Sequence, residues 1–200
     1  MIRTILLATL CCVSSFAMSH ATSAVAAHKE DVDAIMFTPP EGWGSLDPKK
    51  LPGSVKVMVV GKGSDASYPP SINLGVEEYS GTLKDYLKIV KAINDSQNAD
   101  WKNLGTIHTE AGRASLSQVD VTTSWGTIRL MHVILVKKGQ AYIMTSAALR
   151  DEFPRFYSEF FNAMRSLRFG KGAPDQLVEA AYLRNSAAAL SPESDSLTKK

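Results

Sequence analysis

A chain of 200 residues with 22 Lys and Arg against 20 Asp and Glu carries no charge excess with which to hold a polyanion. Its basic residues come as isolated pairs, Lys49-Lys50, Lys137-Lys138 and Lys199-Lys200, with no stripe of interleaved aromatics, so nucleic-acid binding is not indicated. The two cysteines, Cys11 and Cys12, are adjacent and close to the start, which leaves the body of the chain without a disulfide or a thiol nucleophile.

Arg3, the apolar run Ile5 to Val13 and the small residues Ala24-Val25-Ala26-Ala27 follow the order of a secretory signal: a positive start, an apolar core, a small-residue cleavage site. Cleavage is expected after Ala27, so residues 1–27 are read as a signal peptide and the mature chain has no cysteine. A membrane anchor needs about 20 apolar residues, and Ser14, Ser15, Ser19 and His20 interrupt this run. Leu10 before Cys11 is not the small residue that lipidation of that cysteine requires. Without Arg3 the charge count is 21 basic against 20 acidic residues. The remaining stretch of about 170 residues suffices for one domain with its own core.

Val32 to Phe37 is expected as a short strand that stops at Pro39-Pro40, where the backbone donor needed for a ladder is missing. Gly42 permits a turn, and Trp43 is expected to fold back onto the core. Residues 44–53 read as a loop. Val55 to Val60 is a β-branched strand, Gly61 to Pro70 a polar loop. Ser71 to Tyr79 alternates Ile72, Leu74 and Val76 with polar positions, the period of a strand with one buried face. The period then changes: Leu83, Tyr86, Leu87, Val90 and Ile93 recur at three and four, predicting an amphipathic helix that ends near Asn94. Thr82 with Asp85 three residues on predicts a capping box.

Leu104 to Glu110, Ser115 to Thr123, Thr127 to Val136 and Ala141 to Ser146 read as successive strands, with turns at Ala111-Gly112, Trp125-Gly126 and Lys138-Gly139. Thr127 to Val136 is apolar on both faces, which places it inside a sheet covered on both sides. Phe153, Phe156, Tyr157, Phe160, Phe161, Met164 and Leu167 define a second helix, with Asp151 as its expected cap and Pro154 in its first turn. The aromatic stripe is read as packing against the sheet. The chain is thus divided into residues 28–169 as one domain and residues 170–200 as an extension. In that extension Gly170-Lys171-Gly172 is a hinge, Pro174 to about Ala189 a short helix, and the rest a polar tail.

The segments Phe37-Thr38-Pro39-Pro40-Glu41-Gly42-Trp43, Gly139-Gln140-Ala141-Tyr142 and Ser166-Leu167-Arg168-Phe169, in this order of elements, resemble the PsbP/Mog family over residues 33–169. The resemblance implies an α+β fold: an α/β/α sandwich with a mostly antiparallel twisted sheet and helices on its faces. It also implies work by protein contact without catalysis. The export signal fits the family's bacterial envelope branch and a periplasmic location, with another envelope protein as partner.

Catalytic patterns are missing from the sequence. There is no Gly-x-Ser-x-Gly elbow, no His-Glu-x-x-His and no phosphate loop, Gly61-Lys62-Gly63 being followed by Ser, Asp and Ala. No catalytic residue, cofactor or metal site is therefore expected. Lys49, Lys50 and Tyr68, on the two polar loops, are the candidate partner-binding residues. The competing reading is a periplasmic small-ligand carrier or hydrolase with a site between sheet and helix. It rests on Asp120 and His132; a metal site would instead need His108 and His132 as neighbours across the sheet, with Asp120 joining them. The bland expectation for that pair is a satisfied buried His132 and an exposed His108.

Overall fold

The computed structural model describes residues 34–62 and 68–170. The signal segment with Ala27, the middle of the 61–70 loop and the extension from residue 171 lie outside the described residues.

Seven strands form one antiparallel sheet: Gly44–Ser45 (β2), Val55–Val60 (β3), Ser71–Glu78 (β4), Asp100–Thr109 (β5), Gly112–Thr123 (β6), Gly126–Lys137 (β7) and Gln140–Leu149 (β8). Their spatial order is β2-β3-β4-β8-β7-β6-β5. A separate ribbon pairs Ala34–Met36 (β1) with Arg168–Gly170 (β9). Strands β5 to β8 are a meander, each joined to the next by a tight turn. In the last of these Lys138 and Gly139 both take positive φ, 51° and 75°, the backbone that continues the right-handed twist of a two-residue hairpin.

The helix Leu83–Ser96 (α1) carries the chain from β4 to the far edge at β5. Four strand spacings amount to about 19 Å, and 14 helical residues rise about 21 Å. The helix is therefore long enough for the crossing. Thr82 Oγ1 accepts from the Asp85 amide at 3.2 Å, as the sequence predicts. The reciprocal half of the box differs: the Asp85 carboxylate takes the Thr82 hydroxyl at 2.7 Å and the Lys88 ammonium at 2.9 Å.

After β8 the chain forms a 3-10 turn, Phe153–Phe156, and then the helix Tyr157–Arg165 (α2). Asp151 is not a cap, since neither helical piece has a side-chain cap. Pro154 sits at the start of the 3-10 turn instead, and the expected single helix is divided there. Tyr157, placed on the apolar stripe by its spacing, is 51% exposed and stacks on Phe161 at 4.4 Å. Beyond α2, Gly170 ends β9 and so belongs to a strand, not to a hinge.

Helices cover both faces of the sheet. On one, α2 packs Phe160 and Met164, together with the Leu167 that follows it, against Val59, Ile72, Leu74, Val133 and Met144. Trp43 closes this core, its ring edge-on to Phe160 at 5.9 Å and to Phe156 at 6.2 Å. A Cβ on Gly61 would meet the Trp43 ring at 2.9 Å, so glycine is what lets the indole in. On the other face α1 packs Tyr86 and Val90 against Ile134, Ala141 and Ile143. A second cluster on that face, Val119, Ile128, Leu130 and Ala147, is joined by Tyr68 and Trp101.

Two strand readings change in detail. Ser71 to Gly75 is buried at every position, not on one face, because α2 covers Ile72 and Leu74 while Ser71 and Asn73 face inward on the α1 side. Residues 44–53 are more ordered than a loop: β2 pairs with β3, and Pro48–Lys50 forms a 3-10 turn.

Candidate functional site

Side chains along a strand alternate between the two faces, so the ladder registers decide which sequence candidates can meet. Asp120 stands opposite Arg129, while His132 stands opposite Ser117. Asp120 lies three positions, an odd step, from Ser117. Asp120 therefore points to the α2 face and His132 to the α1 face, and the proposed pair does not form. Asp120 receives two hydrogen bonds from the Arg129 guanidinium, each 2.8 Å, and these hold its carboxyl below the usual carboxylate range. Its role is to pin β6 to β7. His108 is exposed and opposite Arg113, four residues along β6 from the partner of His132. The two histidines are not neighbours.

His132 is fully enclosed. Its Nδ1 lies 3.0 Å from Thr145 Oγ1 on β8, and its Nε2 has no hydrogen-bond partner. Burial pushes its pKa down to about 4, so the imidazole is neutral near pH 7. It belongs to a transverse row that the registers assemble on the α1 face: Asn73 opposite Thr145, Thr145 opposite His132, His132 opposite Ser117, Ser117 opposite Asn103. This row separates the two apolar clusters of that face. Sequence reasoning singled out only His132 from it. The available signal was a polar residue recurring at one face of otherwise apolar strands, with Ser117 and Thr145 as the instances.

Lys49 and Lys50 are exposed on the 3-10 turn. Asp47 fixes that turn: its side chain accepts from the Lys49 amide at 3.0 Å and its carbonyl from the Lys50 amide at 2.9 Å. Leu46, beside them, is 42% exposed. Tyr68 differs from the expected free loop residue. It packs against the Val119 cluster, lies 6.0 Å from Trp125 between ring centres, and has its phenol pKa raised by burial, against a hydrogen bond with Ser71 that lowers it. Near the start of α1, Tyr86 donates to the Glu77 carboxylate and meets Tyr79 edge-on at 4.9 Å. Burial, then that carboxylate, raises the Tyr86 pKa.

Among the described residues no group of three His, Cys, Asp or Glu side chains is placed to hold a metal ion, and no helix is long and apolar enough to cross a membrane.

No protein-family model matches the chain, and no curated protein does. Solved structures do. The Mycobacterium tuberculosis protein LpqN, described as involved in cell envelope biogenesis, aligns with TM-score 0.52 at 15% identity, over 72% of this chain and 87% of its own. The cyanobacterial PsbP of Synechocystis aligns with TM-score 0.49 at 14% identity, over 76% and 98%. The Saccharomyces cerevisiae Ran-binding protein Mog1p aligns with TM-score 0.40 at 14% identity, over 76% and 88%. At these identities the likeness is one of fold. The architecture, shared with LpqN, is an α+β sandwich: an antiparallel seven-stranded sheet between two helices.

Proposed function

We propose that the chain is exported to the bacterial envelope, works in the periplasm without catalysis, and binds or helps assemble another envelope protein. The export signal of residues 1–27 supports the location. A structural neighbour described by its part in cell envelope biogenesis is consistent with it. The observation that carries the binding reading is the turn Pro48–Lys50. It holds two cations, Lys49 and Lys50, in a fixed and exposed position beside Leu46, and neither has an ion-pair partner among the described residues. Ordered charge of this kind does nothing for the core and is available to an acidic surface on a partner. Tyr68 contributes to the same reading only through the surface it shares with Trp125, since its ring is part of the packing.

The carrier or hydrolase reading loses its site, because the sheet itself stands between Asp120 and His132. Affinity capture of the tagged mature protein from its own envelope fraction tests the proposal. A specific partner is expected with the parent chain and is expected to be lost with the Lys49→Ala/Lys50→Ala double variant at unchanged melting temperature. Equal capture by both forms would remove the two lysines from the interface. Hydrolytic turnover by the purified protein would overturn the non-catalytic reading.

A further inference from the structure

Three polar atoms on the α1 face have no hydrogen-bond partner although they are buried: Ser117 Oγ, His132 Nε2 and Trp101 Nε1. Ser117 and His132 face each other in the β6–β7 ladder. Trp101 enters the same face opposite Val119, two residues from Ser117, and its ring touches the apolar clusters on both sides of the polar row. Directly opposed side chains in such a ladder stand about 4.5–5.5 Å apart at Cβ, and diagonal ones about 7–8 Å. Ser117 Oγ and His132 Nε2 do not bond each other, unlike Thr145 Oγ1 and His132 Nδ1 at the same ladder spacing, and a single water can bridge two such opposed groups.

We infer that an ordered water molecule is held between Ser117 Oγ and His132 Nε2, with the Trp101 indole N–H as its third partner. Buried polar groups in native proteins are almost always satisfied, and an internal water commonly makes about three hydrogen bonds. The chemistry of the three groups selects a neutral molecule that both donates and accepts. The indole offers only a donor, which opposes a cation. The neighbouring side chains Val119, Leu130, Ile134, Ile143 and Thr145 bring no positive charge to hold an anion. Thr145 on Nδ1 and water on Nε2 can each donate or accept, so either neutral tautomer of His132 is served.

A crystal structure of the protein at a resolution that places waters tests this directly. Density within hydrogen-bond distance of both Ser117 Oγ and His132 Nε2 is expected. An apolar side chain filling that space would overturn the inference. In solution, cross-relaxation between water and the Trp101 indole proton is expected in the parent and lost in Ser117→Val, whose extra methyl groups occupy the space. A parent protein with no such signal, or a folded Ser117→Val variant that keeps it at full strength, would overturn it equally. The parent measurement decides the matter even where the variant fails to fold.

Discussion

The two faces of the sheet are built from the same strands and behave differently. Under α2 the buried apolar side chains form a single cluster from Trp43 to Leu167, and the buried Ser146 hydroxyl is on this face of β8. The end of α2 is also tied to the β5–β6 turn, by the amides of Glu110 and Ala111 donating to the Arg165 and Leu167 carbonyls at 3.0 and 2.6 Å. Under α1 the apolar surface is split in two by the row through Thr145, His132 and Ser117, and of the residues α1 buries, Tyr86, Val90 and Asn94, one is an amide, whereas α2 buries Phe160, Ala163 and Met164. Stability therefore resides mainly under α2, where the titratable pair Asp120 and Arg129 satisfy each other, while the α1 side carries the polar row with the buried His132.

The largest expected effect is on the dry side. Trp43→Ala removes the ring that caps Phe156 and Phe160 and should cost about 3–5 kcal/mol, as buried aromatic truncations do. Denaturant unfolding checks it, and a variant as stable as the parent would show that this layer does not dominate.

Next comes pH, which between about 6.5 and 4 acts through His132 on the α1 side, the lowered carboxyl pKa of Asp120 on the α2 face acting only at more acid pH. Burial lowers the His132 pKa from 6.5 to about 4 in the folded state, so as pH falls the unfolded chain takes up the proton first. The sign follows: stability is complete above about pH 6.5, declines between about 6.5 and 4, and is flat below as far as this group is concerned. Each tenfold difference in proton affinity between the folded and unfolded chain is worth about 1.4 kcal/mol, so the full loss approaches about 3 kcal/mol. Urea titrations across this range should show the decline in the parent and a shallower one in His132→Gln. Parallel curves would mean that His132 does not titrate in this window. The smallest effect is local to α1: Thr82→Ala removes the acceptor of the Asp85 amide and should cost about 1 kcal/mol, a change in thermal midpoint that a Thr82→Ser replacement ought largely to spare.

Much of this architecture was legible in the residues. The change of period from Val76 to Leu83 marks where β4 gives way to α1, and the doubly apolar run of β7 announces a covered sheet, because burial on one or two faces is written in the alternation itself. What escaped was short or depended on partners. Gly44–Ser45 and Arg168–Gly170 are too brief to show a period and become strands only through β3 and β1. Pro154 is compatible with either helix type, so the division at Tyr157 was not visible. The polar row is invisible strand by strand, since alternation reports a face but not a register. For the same reason Asp120 and His132 could be thought neighbours until the ladder placed Asp120 on Arg129. The lysines of the Pro48–Lys50 turn were found as loop residues, whereas the packing of Tyr68 against Trp125 depends on a contact 57 positions away in the chain.

Native-state hydrogen exchange, followed amide by amide at neutral pH, tests the division of the two faces most directly. The amides of α1 are expected to open at a free energy below that of global unfolding, and those of α2 and β8 to exchange only with the whole domain. Identical opening free energies for α1 and α2 would contradict the account, because the split, polar face would then be as tightly held as the one with a single apolar cluster.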